Sequence, residues 1–112
     1  MAISFTVINW QDILPSTHPG TTGAAQWQTL QYPGLRLRIV TYQPGYLADH
    51  WCAKGHIVHC LSGSFDSELQ NGETHTLMEG MTYIVSDDAS LHRSRTQGGV
   101  KLLIIDGDFL AP

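Results

Sequence analysis

Residues 45–63 read GYLADHWCAKGHIVHCLSG, a stretch in which metal-binding side chains and strand-forming residues overlap. On an extended segment successive side chains point to opposite faces, so His50 and Cys52 project to one side and Trp51 to the other. Two soft donors then converge on one point. Gly55 permits a tight turn or a close backbone approach, after which His56 opens the next strand and can turn back toward the same point. His59 lies three residues beyond His56, on the opposite face, and is expected to pack on the outside of the sheet. Cys60 shares an apolar face with Val58 and reads as a core residue.

Outward from this stretch the chain is a series of short β-rich segments separated by turn signals, the habit of an all-β sandwich or barrel. Strands are expected over 27–32, 35–42, 55–61, 65–70, 74–78, 81–85, 91–96 and 100–106, with an edge strand over 3–8. Pro33-Gly34, Pro44-Gly45, Ser62-Gly63, Asn71-Gly72 and Gly98-Gly99 supply the turns. Asn71-Gly72 predicts a hairpin through a type I′ turn. Residues 15–23, PSTHPGTTG, read as a surface loop, in which His18 is expected to take a structural or interface role. His75, beside the hairpin, is expected to face solvent.

The same residues carry a resemblance. The stretch 45–63 resembles the first motif of the cupin family, in which a Gly is followed by His-x-His, by a Glu after a short loop, and by a closing Gly. Cys52 stands where the family has its second His, and His56 where it has Glu. GMTYIVSDDASLHRSRT, 80–96, resembles the second motif, with His92 as the last ligand. It departs from that motif in having Ser86-Asp87-Asp88 and one extra residue where many cupins have Pro-x-Gly, and Thr96 where Asn is frequent. DHWC followed by KGH, HRS later and HPGTTG at 18–23 are similar to the DHCW-motif group of cupins. The likeness implies a single-domain, all-β cupin-type jelly-roll barrel over 1–112, with an N-terminal strand and loop over 1–23 and the barrel over 24–110. It also implies one divalent transition metal ion held by His50, Cys52, His56 and His92. It specifies no reaction.

Three imidazoles and a thiolate suit zinc, iron, nickel or copper and disfavour magnesium or calcium, which prefer oxygen; zinc is the first expectation. Four filled positions would make the site structural, and a wider sphere would admit substrate. Tyr42, Tyr46, Trp51, Met81 and Tyr83 are expected near the barrel mouth. Arg36 with Arg38, or Arg93 with Arg95, shares a strand face and could hold an anionic group through forked hydrogen bonds. Tyr42, Tyr83 and Arg93 are the candidate substrate contacts. No carboxylate takes the family's Glu position, and the nearest candidate bases, Asp49, Asp87 and Asp88, lie on loops. Two functions stay open: a metal-dependent enzyme acting on a small polar molecule, or a non-catalytic metal or small-molecule binding barrel.

Composition narrows the partners. The 112 residues suffice for one core. Charged residues are 14 % of the chain against roughly 25 % in ordinary soluble proteins, which points to self-association, expected as a homodimer through the N-terminal edge strand. A net charge of −4 with scattered Lys and Arg lacks the basic footprint that nucleic acid requires. No basic leader precedes a long apolar run, so a cytoplasmic protein without membrane contact is expected. Cys52 and Cys60 match neither a CxxC pair nor a disulfide scaffold.

Overall fold

The computed structural model describes residues 2–112. Eight antiparallel strands form the barrel: β1 (Ser16–Pro19), β2 (Ala24–Tyr32), β3 (Leu35–Tyr42), β4 (His56–Leu69), β5 (Thr74–Met78), β6 (Thr82–Val85), β7 (His92–Arg95) and β8 (Val100–Gly107). Two short 3-10 turns, Trp10–Asp12 and Asp108–Leu110, are the helical elements among the described residues. No helix there is long and apolar enough to cross a membrane.

β4 organises the molecule. Its first half pairs with β8 and β6, extending a wall that runs β1-β2-β3-β8-β4-β6, and its second half pairs with β5 and β7 to make the opposing wall. The sequence suggested two strands broken at Ser62-Gly63. Instead the strand continues, with a register shift between Cys60 and Ser62 and Gly63 at φ +79°. A bulge bends a strand without ending it, and here it carries β4 from one wall to the other.

Alternation along the strands fills the barrel. In β8, Val100, Leu102, Ile104 and Asp106 are buried in turn while Lys101 faces water. The three apolar residues join Val40, Val58 and Cys60 in the core. Asp106 continues the same inward face as a buried acid, which requires partners because an unpaired charge is costly to bury.

Several local expectations change. Residues 16–19 of the supposed loop form β1, where His18 stacks on Trp27 with ring centroids 3.7 Å apart. The expected edge strand over 3–8 does not form; Phe5 and Val7 are 96 % and 81 % exposed. Its alternation finds no neighbouring strand to pair with, and a lone strand leaves its backbone groups to water. The hairpin after β4 forms, but Gly72 donates to Leu69 O at 3.0 Å, and Gly72, not Asn71, takes the positive φ, +100°. That is a turn with a left-handed glycine after it rather than type I′. His75 is exposed beside Glu73, and His59 sits on the outer face, bonded to Thr82 Oγ1 at 2.7 Å, both as the sequence suggests.

Candidate metal centre

Strand register lines up the first element of the site. Arg36 on β3 lies opposite Asp106 on β8, and the β8–β4 register that pairs Ile105 with Ile57 brings His56 alongside Asp106 on the other side. Asp106 therefore accepts from Arg36 Nε and Nη2 at 2.9 Å each, from Arg38 Nη2 at 3.0 Å and from His56 Nδ1 at 2.9 Å. Burial alone would raise its pKa. The bonds from His56 and Arg36 and the charges of Arg38 and Arg36 outweigh that and hold the carboxyl well below the usual carboxylate range.

A second local pairing places the other two donors. Cys52 and His92 form an isolated antiparallel bridge, with Cys52 N–H donating to His92 O at 2.7 Å and His92 N–H to Cys52 O at 3.1 Å. The loops on either side are pinned together. Gly55 N–H donates to Asp87 Oδ1 at 2.6 Å, and Asp88 N–H to Ala53 O at 2.9 Å. A Cβ on Gly55 would stand 2.5 Å from Asp87 N, so this close approach requires glycine. Ser86-Asp87-Asp88, the departure from the cupin motif, thus fastens the loop that precedes His92 to the loop that carries Cys52.

The donor atoms of Cys52, His56 and His92 all lie within 4.8 Å of one another. Cys52 Sγ is 3.5 Å from His56 Nε2; tetrahedral zinc with bonds of about 2.0–2.3 Å has donor–donor edges of roughly 3.3–3.7 Å. The tautomers also fit. A carboxylate and a backbone carbonyl only accept, so Asp106 fixes the proton of His56 on Nδ1. Ser90 O, 2.9 Å from His92 Nδ1, does the same there. Each ring presents Nε2 to the centre, and His92 Nε2 is buried with no hydrogen-bond partner among the described residues. An outer acceptor that orients a histidine is the usual support of a ligating imidazole. At Cys52 burial opposes ionisation, but contact with His56, a backbone bond to Lys54 and the Arg38 charge lower the thiol pKa on balance. Three donors with free lone pairs facing one point are a set that can hold a transition metal ion.

His50 does not join them. Its side chain is 73 % exposed, with Nδ1 2.6 Å from Asp49 Oδ1. It stands at the rim of a cavity of about 240 Å³ that opens beside the trio. All three substrate-contact candidates line that cavity. Tyr42 is buried and stacks on Tyr46 at 4.3 Å. Tyr83 packs edge-on to His92 at 6.0 Å. Burial is the leading cause that raises both phenol pKa values, so both stay neutral. Arg93 lies over the Trp51 ring at 4.5 Å and 3.3 Å from Glu68. Of the candidate bases, Asp49 is exposed, and Asp87 holds Gly55 and lies 3.6 Å from Lys54.

Sequence reasoning passed over Asp106 as the end of an apolar strand. Its signal was available: an acid at an inward position of the VKLLIIDG alternation, matched by two arginines on one face of β3.

The architecture is the cupin fold, by similarity to solved structures. A protein described as a predicted oxalate decarboxylase from Thermotoga maritima matches with a TM-score of 0.76 and 14 % identity, over 91 % of this chain and 99 % of that one. An RmlC-like cupin from Shewanella frigidimarina matches with a TM-score of 0.74 and 15 % identity, over 93 % and 91 %. Ectoine synthase from P. lautus matches with a TM-score of 0.72 and 20 % identity, over 92 % and 78 %. Identities this low speak for the fold alone. Neither a family model nor a curated protein sequence matches the chain.

Proposed function

We propose that this chain is a metal-dependent cupin enzyme that binds one divalent transition metal ion, zinc first, through Cys52, His56 and His92 and acts on a small polar molecule in the adjoining cavity. The observation that carries this reading is His92 Nε2, a buried lone pair with no partner among the described residues, turned toward a thiol and a second imidazole. Three protein ligands leave a coordination position for water or substrate, as in catalytic zinc sites. When bound, such an ion polarises a carbonyl or lowers the pKa of bound water. The protein's own residues set the rest. Asp106 and Ser90 orient the imidazoles, the phenols of Tyr42 and Tyr83 remain protonated, and apolar side chains narrow the cavity.

A non-catalytic binding barrel is favoured by one observation: no carboxylate lines the cavity among the described residues, which leaves His50 and Lys54 as the side chains outside the metal trio and the neutral phenols that could move a proton there. Metal content by elemental mass spectrometry on untagged protein tests the shared premise. Wild type and His50→Ala should carry about one equivalent of zinc per chain, and Cys52→Ala and His92→Ala under a tenth. A metal-free wild type, or full loading of either ligand variant, would overturn it.

We infer as well that a second copy of the chain covers the N-terminal segment. Ile3, Phe5 and Val7 alternate as a strand does and lie in water, Phe5 almost wholly, while β1 and β6 each have one unpaired edge. Light scattering should give a dimer mass for wild type and a monomer mass after deletion of residues 2–9. A monomeric wild type at working concentration excludes the inference.

A further inference from the structure

Cations outnumber acids around the cavity. Arg36, Arg38, Lys54 and Arg93 line it. Lys54 has Asp87 at 3.6 Å and Arg93 has Glu68 at 3.3 Å, whereas Arg36 and Arg38 share the single carboxylate of Asp106, which His56 also engages. Arg38 is the more deeply placed of that pair, 4 % exposed, and its Nε is buried without a hydrogen-bond partner among the described residues. The guanidinium lies over the Trp27 ring at 4.5 Å, which fixes its plane. An arginine so buried, half paired and held flat is an incomplete ion pair, and burying it in this state is costly unless something anionic completes it.

We propose that the cavity receives the carboxylate of a small organic acid, with Arg38 as the residue that binds it. The wall chemistry favours an organic acid over an inorganic anion: Trp27, Tyr46, Val58, Leu102 and Ile104 give the cavity a largely apolar lining, suited to a carbon body. At about 240 Å³ it is smaller than the roughly 300–1,000 Å³ of drug-sized sites, so the acid is a few carbons long. This names the substrate class for the proposed metal enzyme and rests on that reading in one respect. A bound divalent ion would add positive charge beside Arg38 and so strengthen the attraction for a carboxylate.

Isothermal titration calorimetry with malonate, and with neutral malonamide as its control, tests the proposal on zinc-loaded and metal-free wild type, Arg38→Lys and Arg38→Gln, with metal content measured after each titration. Malonate is expected to bind zinc-loaded wild type at least tenfold more tightly than malonamide, and more tightly than it binds metal-free wild type. Arg38→Gln should lose tenfold or more with zinc retained. Arg38→Lys keeps the charge beside Asp106 should the Gln variant fail to fold, and it should lose less than Gln but clearly weaken binding, since an ammonium does not reproduce the guanidinium's planar fork. Malonamide binding as well as malonate, or folded Arg38 variants binding malonate like wild type, overturns the proposal. Should wild type take up no zinc, the metal reading fails by itself; metal-free wild type should then still bind malonate through Arg38 and lose that binding in Arg38→Gln. Failure of that binding too removes the carboxylate site.

Discussion

Asp106→Asn is expected to cost about 3–5 kcal/mol of unfolding free energy, the usual consequence of removing one partner from a buried charge cluster. The carboxylate is 3 % exposed and serves Arg36, Arg38 and His56 at once, and Arg38, itself 5 % exposed in its side chain, would be left with a neutral amide. Domains of this size have roughly 5–15 kcal/mol to lose, so the urea midpoint should fall by about a fifth or more. The effect has a pH signature. Because the folded carboxyl pKa is depressed, its stabilisation is fully present above the ordinary value of about 3.9 and is lost as pH falls from there toward the folded value. Wild-type stability should therefore drop steeply below about pH 4, and the Asn variant should lack that component. A loss under about 1 kcal/mol, or parallel acid limbs for the two proteins, would show that the cluster does not hold the barrel together.

Zinc should raise the melting temperature by roughly 10–16 °C when free metal exceeds Kd by 100- to 1,000-fold. A ligand that binds only the folded state adds about 2.7–4.1 kcal/mol at those ratios, and a domain near 100 residues gains about 4 °C per kcal/mol. A chelator should reverse the shift. His92→Ala and Cys52→Ala should show almost none of it, and His50→Ala nearly all, because His50 lies at the rim, paired with Asp49. Differential scanning fluorimetry across a zinc titration separates these outcomes. Equal shifts in wild type and His92→Ala would place the metal elsewhere on the chain.

Much of the fold was legible because strand alternation and turn residues are local signals. The limits of β3 and β5, and the close approach open to Gly55, could be read from the order of residues. So could Cys52, His56 and His92 as donors that meet, since two come from one short stretch and the third from a recognisable second motif. What escaped depended on pairing between distant segments. The position of His50 is set by the backbone bend at Asp49-His50, just before Cys52 bridges to His92, and alternation alone placed it beside Cys52. The edge strand over residues 3–8 has the right alternation but no neighbour within its own chain. The break at Ser62-Gly63 became a bulge because pairing on both sides of it keeps β4 extended, though bent, through a sequence that would otherwise turn. Arg36 and Arg38 read as a solvated or binding face until the register set Asp106 across from them.

The path of β4 has a further consequence. A strand shared by both walls, hydrogen-bonded to β8 and β6 along one half and to β5 and β7 along the other, joins them mechanically, so neither wall can peel away without drawing on the bonds of its opposite. His56 stands at the first residue of that strand, and His92 pairs with its last, Leu69. The two imidazoles thus sit at the two ends of one strand that bends back on itself at Gly63, which brings their rings to 5.3 Å between centroids, and their separation is set by that bend together with the pinned loops around them.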